Sequence, residues 1–263
     1  MKFNRLFVYV VAIGFACVTQ TVLAQQVVDA SQIISDIKEG KSISYENATI
    51  RGDVDFTMKA DKEDELPRKW KWWRGGKSNT VEEQITSSIR FVNCTFEDDV
   101  LAYIHERSSN YTFVANFEQD VNFSNCTFQG EAMFKYSDFE QEAVFSNTTF
   151  EDDNTFKYAK FRRNADFSGT VFEEESIFKY AKFYNATDFS KASFKDDCIF
   201  KYAEFKDGVN FMSTEFNRSL DMKYTKVRGD FAIEGMKVRD ELDTKYTSIN
   251  GRGFSKSALE QNK

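Results

Sequence analysis

From Phe117 onward the large apolar residues fall at positions 117, 123, 128, 134, 139, 145, 150, 156, 161, 167, 172, 178, 183, 189, 194, 200, 205, 211 and 216, and all nineteen are Phe. The steps alternate six and five residues without a slip. Met222, Val227, Ile233, Val238 and Ile249 carry the rhythm on, with Thr244 as its exception. Neither the helical period nor the two-residue period of a strand generates such a series. Two positions before most of these rings stands a small residue, as at Ala115, Cys126, Ala132, Ser137, Ala143 and Thr148. In extended backbone, residues two apart point to the same side. Each small and large pair is therefore predicted to be the inward part of one short face.

The number of faces per coil follows from which units look alike. FKYSDF at 134, FKYAKF at 156 and 178, FKYAEF at 200, MKYTKV at 222 and TKYTSI at 244 recur every 22 residues, with a second set beginning FSN or FSG between them. One coil thus takes 22 residues and carries four large and four small inward residues. That predicts four faces, each forming a parallel sheet with the next coil about 4.8 Å away. About eight coils would make a shaft on the order of 40 Å long.

Units that read small, polar, large apolar, polar, polar resemble those of the pentapeptide-repeat family, here with Phe where many members have Leu. The resemblance is dense over residues 112–249 and sparse over 45–56 and 89–96. Alternate units carry a sixth residue, a spacing found in a Phe-rich branch of that family. What it implies is an all-β fold, a right-handed quadrilateral parallel β-helix (a solenoid). The interior of such a shaft is filled by its own rings, so function is expected on outer columns, insertions or ends.

The ends and interruptions divide the chain. Residues 1–24 place Lys2 and Arg5 ahead of an apolar stretch from Leu6 to Val18, then Val22 and Ala24, the order of a secretory signal peptide cut before Gln25. That stretch is shorter than the ~20 residues a membrane span needs. Residues 25–44 are expected to hold an N-terminal capping helix. Asp29 or Ser31 serves as its cap, Ile33, Ile34 and Ile37 form its stripe, and Gly40 stops it. The shaft is expected over 45–249, with insertions near 57–88 and 99–111, and a tail over 250–263.

Composition narrows the function. Without residues 1–24 the chain holds 33 Lys and Arg against 42 Asp and Glu, a net charge of −9. Nucleic acid is not an expected partner, because its binding rests on neutralised phosphates. His105 is the only histidine, which rules out a two-histidine metal site or a catalytic arrangement of several histidines within one chain. Cys94, Cys126 and Cys198 occupy small inward positions and are expected to be buried free thiols. No cofactor is indicated.

Three surface features are candidate binding elements. Lys135, Lys157, Lys179 and Lys201, with Tyr136, Tyr158, Tyr180 and Tyr202, make an outward column that Lys223, Lys245, Tyr224 and Tyr246 extend. It reads either as a flat cationic and aromatic strip for an anionic glycan or an acidic partner, or as a soluble surface copied by repeat duplication, the simpler account. Asp152, Asp153, Glu174, Glu175, Asp196 and Asp197 stack carboxylates on another corner. These could ligate Ca²⁺, but no binding-loop spacing accompanies them, so a solvated acidic corner is the simpler account. The insertion PRKWKWWRGGK at 67–77 concentrates Trp70, Trp72 and Trp73 beside Arg68, Lys69, Lys71 and Arg74. It suits contact with glycans, acidic headgroups or a protein, unless the Trp rings only cover the first coils.

The expectation is a non-catalytic exported scaffold or binding protein of the bacterial cell envelope or exterior, with a protein or an anionic envelope surface as partner. Two alternatives stand against it. One is a polysaccharide-active enzyme, of a class that uses a three-faced β-helix. The other, implied by the family resemblance, is a DNA mimic that inhibits topoisomerase, which an export signal disfavours.

Overall fold

The computed structural model describes residues 26–63 and 79–255. Over them the chain winds into four sheets, of nine, ten, eight and eight strands, one on each side of a four-sided shaft. Each face is named here for a ring beneath it. The Phe128 face stacks strands such as Thr127–Phe128 and Thr149–Phe150, and the Phe134 face Ala132–Met133 and Asn154–Thr155. The Phe139 face stacks Asp138–Phe139 and Lys160–Phe161, and the Phe145 face Ala143–Val144 and Ala165–Asp166. Parallel register pairs Phe128 with Phe150 and Phe139 with Phe161, each 22 residues apart. The quadrilateral β-helix expected from the period is the fold observed.

Burial of the rings is what enforces it. All nineteen Phe of the series are at most 1% exposed. Within a column the rings stack, as Phe161 does on Phe183 at 4.8 Å and 2°. Between columns they meet edge to face, as Phe156 does with Phe167 at 5.3 Å and 83°. Each buried ring contributes about 1.5–3 kcal/mol by area and each such pair about 0.5–1.5 more, against the entropy of ordering its unit. The axis of the shaft is thereby occupied by Phe.

The alternation of five and six residues has a local cause. Five-residue units close with a tight turn in which an amide donates back three residues: Ala159 N–H to the Phe156 carbonyl at 3.0 Å, and Thr170 N–H to that of Phe167 at 3.2 Å. Such a turn, with φ positive at its third residue only, is type II. Six-residue units turn through wider corners, where amides bond to the next coil instead, as Ser176 N–H does to the Asp197 carbonyl at 2.9 Å. The inward small positions add a polar thread. Thr170, Thr214 and Thr225 donate their hydroxyls to the carbonyls of Phe145, Phe189 and Phe200 at 2.7, 2.7 and 2.8 Å.

At the N-terminal end a strand, Gln26–Asp29, pairs with Ala48–Arg51 and leads into a helix, Ala30–Lys38. Asp29 caps this helix by accepting the Ser31 amide at 2.8 Å. Ile33 and Ile37 are buried against the first coil, and Gly40, at φ 72°, follows the helix. After Met58 the chain leaves the coil through a one-turn helix, Lys59–Glu63, and it rejoins the Phe139 face with Thr80–Ile85. A second excursion is a hairpin in which Tyr103–Glu106 runs antiparallel to Tyr111–Phe117. At the C-terminal end Arg252–Gly253 folds back antiparallel on Ser248–Ile249, and Phe254 meets Phe231 edge-on at 5.2 Å.

Candidate functional site

The Lys and Tyr column stands on the tight corner between the Phe134 and Phe139 faces. Each Tyr occupies the third turn position, with φ of 66°, 63°, 62° and 61° at Tyr136, Tyr158, Tyr180 and Tyr202. That left-handed conformation normally favours glycine or asparagine. The opposite tight corner follows the rule at Asn125, Asn147, Gly169 and Gly235 but departs from it at Lys191 and Ser213, both at φ 58°. Tyr is held there by its neighbours: the rings stack at 4.8, 4.7 and 4.8 Å from Tyr136 to Tyr202 and continue through Tyr224 to Tyr246. Lys157, Lys179 and Lys201 set their ammonium groups 5.7, 5.5 and 5.8 Å from the rings that follow them. Lys135, 5.2 Å from the Tyr136 ring, also bonds to the Tyr103 hydroxyl at 3.0 Å.

This packing changes what the column offers. Stacked rings hide their faces from solvent, so the expected flat aromatic strip is a strip of ring edges, hydroxyls and ammonium groups. Between stacked neighbours a sugar or headgroup has no face to lie on, while Tyr246, at the end of the stack, is 62% exposed. Desolvation and the flanking Lys135 and Lys179 push the Lys157 ammonium below the usual lysine range.

The acidic corner lies between the Phe128 and Phe134 faces. Asp152, Asp153, Glu174, Glu175, Asp196 and Asp197 occupy one wide corner in three successive coils, and Glu131 adds a fourth. Asp152 and Asp196 turn a carboxylate oxygen onto the amide of the next residue, at 2.7 and 2.6 Å. Arg218 reaches Asp196 at 2.6 Å and Asp197 at 3.7 Å. Desolvation, then the neighbouring aspartates, raise the Glu131 and Glu175 carboxyls above the usual range. Among the described residues no three His, Cys, Asp or Glu side chains are disposed to hold a metal ion.

Sequence reasoning missed what lies between these two corners. On the Phe134 face the outward residue of each strand is apolar or methyl-bearing over five successive coils: Leu101, Met133, Thr155, Ile177 and Ile199. Asp55 bounds this stripe at one end, and Asp221 and Asp243 at the other. The outward column of the Phe139 face is polar by contrast, with Asp138, Lys160, Lys182 and Glu204. The signal was present in the residue immediately before each Phe, in AMF, NTF, SIF and CIF.

The remaining candidates are placed singly. His105 is exposed on the hairpin, its Nδ1 3.0 Å from the Thr112 hydroxyl. Cys94, Cys126 and Cys198 are free and buried, and burial pushes the Cys198 thiol well up. Trp70, Trp72, Trp73, Arg68, Lys69, Lys71 and Arg74 lie outside the described residues. A depression of about 1040 Å³ opens at the C-terminal end, lined in part by Phe231, Ile233, Ile249 and Phe254.

A four-sided solenoid with a solid aromatic core and repetitive outer columns defines a class of scaffold. The family model described as pentapeptide repeats (9 copies) matches residues 115–160, 134–182 and 178–226. Over residues 115–226 the chain carries the repeats of the pentapeptide-repeat family. Among solved structures it is similar to QnrB1, a plasmid-mediated fluoroquinolone resistance protein in a trypsin-treated form. The identity is 15%, over 77% of this chain and 91% of that one, with a TM-score of 0.24. No curated protein matches.

Proposed function

We propose that this protein is a non-catalytic, exported scaffold of the bacterial cell envelope or exterior, which binds a protein or an anionic envelope surface through its outer columns and its Trp-rich insertion. The observation that carries this reading is the filled interior: rings at most 1% exposed occupy the shaft, so contact chemistry has to reside outside. The Lys157, Lys179 and Lys201 ladder and the segment with Trp70, Trp72 and Trp73 supply cationic and aromatic groups for it. The sequence of residues 1–24 supports export.

Retention of the purified protein on isolated envelope fractions and on anionic glycans tests the proposal. Trp72→Ala combined with Trp73→Ala is expected to abolish retention while leaving the melting temperature unchanged. Loss of stability with unchanged retention would show the insertion to be only a cover. Release of reducing or unsaturated ends from a glycan would contradict a non-catalytic role.

A further inference from the structure

The Phe134 face carries two columns of opposite charge that cannot neutralise one another. Within one coil Asp153 and Lys157 are separated by an inward Asn154, an outward Thr155 and an inward Phe156. Four extended steps span about 13 Å, which exceeds the Debye length of ~8 Å at physiological salt. Among the described residues no carboxylate lies within salt-bridge distance of the Lys157, Lys179 or Lys201 ammoniums, and no cation within that distance of Asp153 or Glu175. Each column is crowded with its own sign at the repeat of the coils. Between them runs the half-buried stripe Leu101, Met133, Thr155, Ile177 and Ile199, closed at both ends by Asp. An apolar centre with a charged rim is the anatomy of a protein interface.

Charge and symmetry together specify the occupant. We infer that the Phe134 face pairs with the same face of a second copy of this chain, the two shafts running parallel about a two-fold axis along the stripe. Rotation about that axis exchanges the two edges of the face, so Asp153 and Glu175 of one copy come opposite the Lys column of the other at the same coil level. The stripe then meets itself, Ile177 on Ile177. A two-fold axis across the shaft would instead set acid against acid and Lys against Lys, and like-charge juxtaposition of that kind is strongly disfavoured. An external partner would need to carry the same two columns at the same spacing, a match that a second copy supplies without further assumption.

Size fixes the expected strength. The five strands of the stripe at ~4.8 Å and a face about 17 Å wide give about 400 Å² per copy, or about 800 Å² in total, the size of a weak, transient interface, since the Asp-bearing strands beyond them would meet their own copies. The pairing is therefore concentration-dependent and weakens as salt rises. It deepens the scaffold reading above and rests on it, since it assigns one outer face to self-association.

Sedimentation equilibrium of the purified protein over a range of concentrations tests this, alongside two charge-reversed variants at the two corners. Lys157→Glu with Lys179→Glu, and Asp153→Lys with Glu175→Lys, are each expected to weaken self-association at least tenfold. An equimolar mixture of the two is expected to recover it as a heterodimer, because every edge then faces its opposite. Leu101→Cys is expected to form a disulfide-linked dimer under mild oxidation, as only the parallel arrangement brings Leu101 to its own copy. A wild-type protein monomeric at all concentrations, or a mixture no more associated than its components, overturns the pairing. If retention on the envelope persists in such a monomer, the scaffold reading stands without it.

Discussion

Tyr158 stacks on Tyr180 with ring centroids 4.7 Å apart and planes 2° from parallel, while both residues hold left-handed backbone at φ 63° and 62°. A non-glycine residue pays about 1–2 kcal/mol for that conformation. A ring stacked above and below recovers an amount of the same order, because each aromatic pair contributes about 0.5–1.5 kcal/mol. The column is thus a structural ladder as well as a surface, and its strain and its stacking are separable.

Substitution at Tyr180 separates them. Tyr180→Ala loses both stacks and keeps the left-handed penalty, whereas Tyr180→Gly loses the stacks and the penalty together. The Gly variant is expected to be the more stable by about 1 kcal/mol in urea denaturation, although glycine is ordinarily the worse residue in regular structure. An Ala variant as stable as Gly would mean that the corner is not left-handed.

The polar thread gives a second contrast. Thr170 donates to the Phe145 carbonyl at 2.7 Å, while the buried Ser137 hydroxyl has no partner. Thr170→Val is expected to cost about 1 kcal/mol, since the Phe145 carbonyl keeps only its turn bond. Ser137→Ala is expected to be neutral or stabilising, because it removes an unsatisfied buried group. Equal effects of the two in chemical denaturation would show that the thread contributes nothing specific.

The acidic corner predicts the direction of a pH effect. Desolvation and Asp197, Asp153 and Asp196 raise the Glu175 carboxyl in the folded state. Between its ordinary and its raised pKa the folded chain binds more protons than the unfolded one, so this group makes stability fall as pH rises through that window. In dilute solution Glu175→Gln is expected to raise the melting temperature at pH 7. The gain should vanish below about pH 4, where both states are protonated. A gain that persists at acid pH would assign the effect to something other than ionisation.

The architecture was legible because burial enforces it at every inward position: a ring displaced from 178 by one residue would face water, so the 22-residue period survives in the sequence as a run of Phe. The cap was legible in Asp29, Ile33, Ile37 and Gly40, whose types each answer one local demand. The left-handed Tyr corner was not, because tyrosine is not a residue that demands positive φ. Its equivalence to Asn147 and Gly169 in the alternate units was the clue. The apolar stripe was missed because Met133, Ile177 and Ile199 are few and irregular beside the Phe series. Only the fold shows that they share one outer face.

Folding of two adjacent substitutions tests the central claim most directly. Phe178 is fully buried and Lys179 beside it stands on the outer corner. Circular dichroism and thermal melts of Phe178→Asp and Lys179→Asp read which way each points. A charge buried without a partner costs far more than a surface exchange, several kcal/mol against about 0.5. Phe178→Asp is therefore expected to abolish the cooperative β-sheet melt and Lys179→Asp to leave it in place. Equal loss in both would contradict a shaft with four columns of Phe inward and its functional chemistry on the outside.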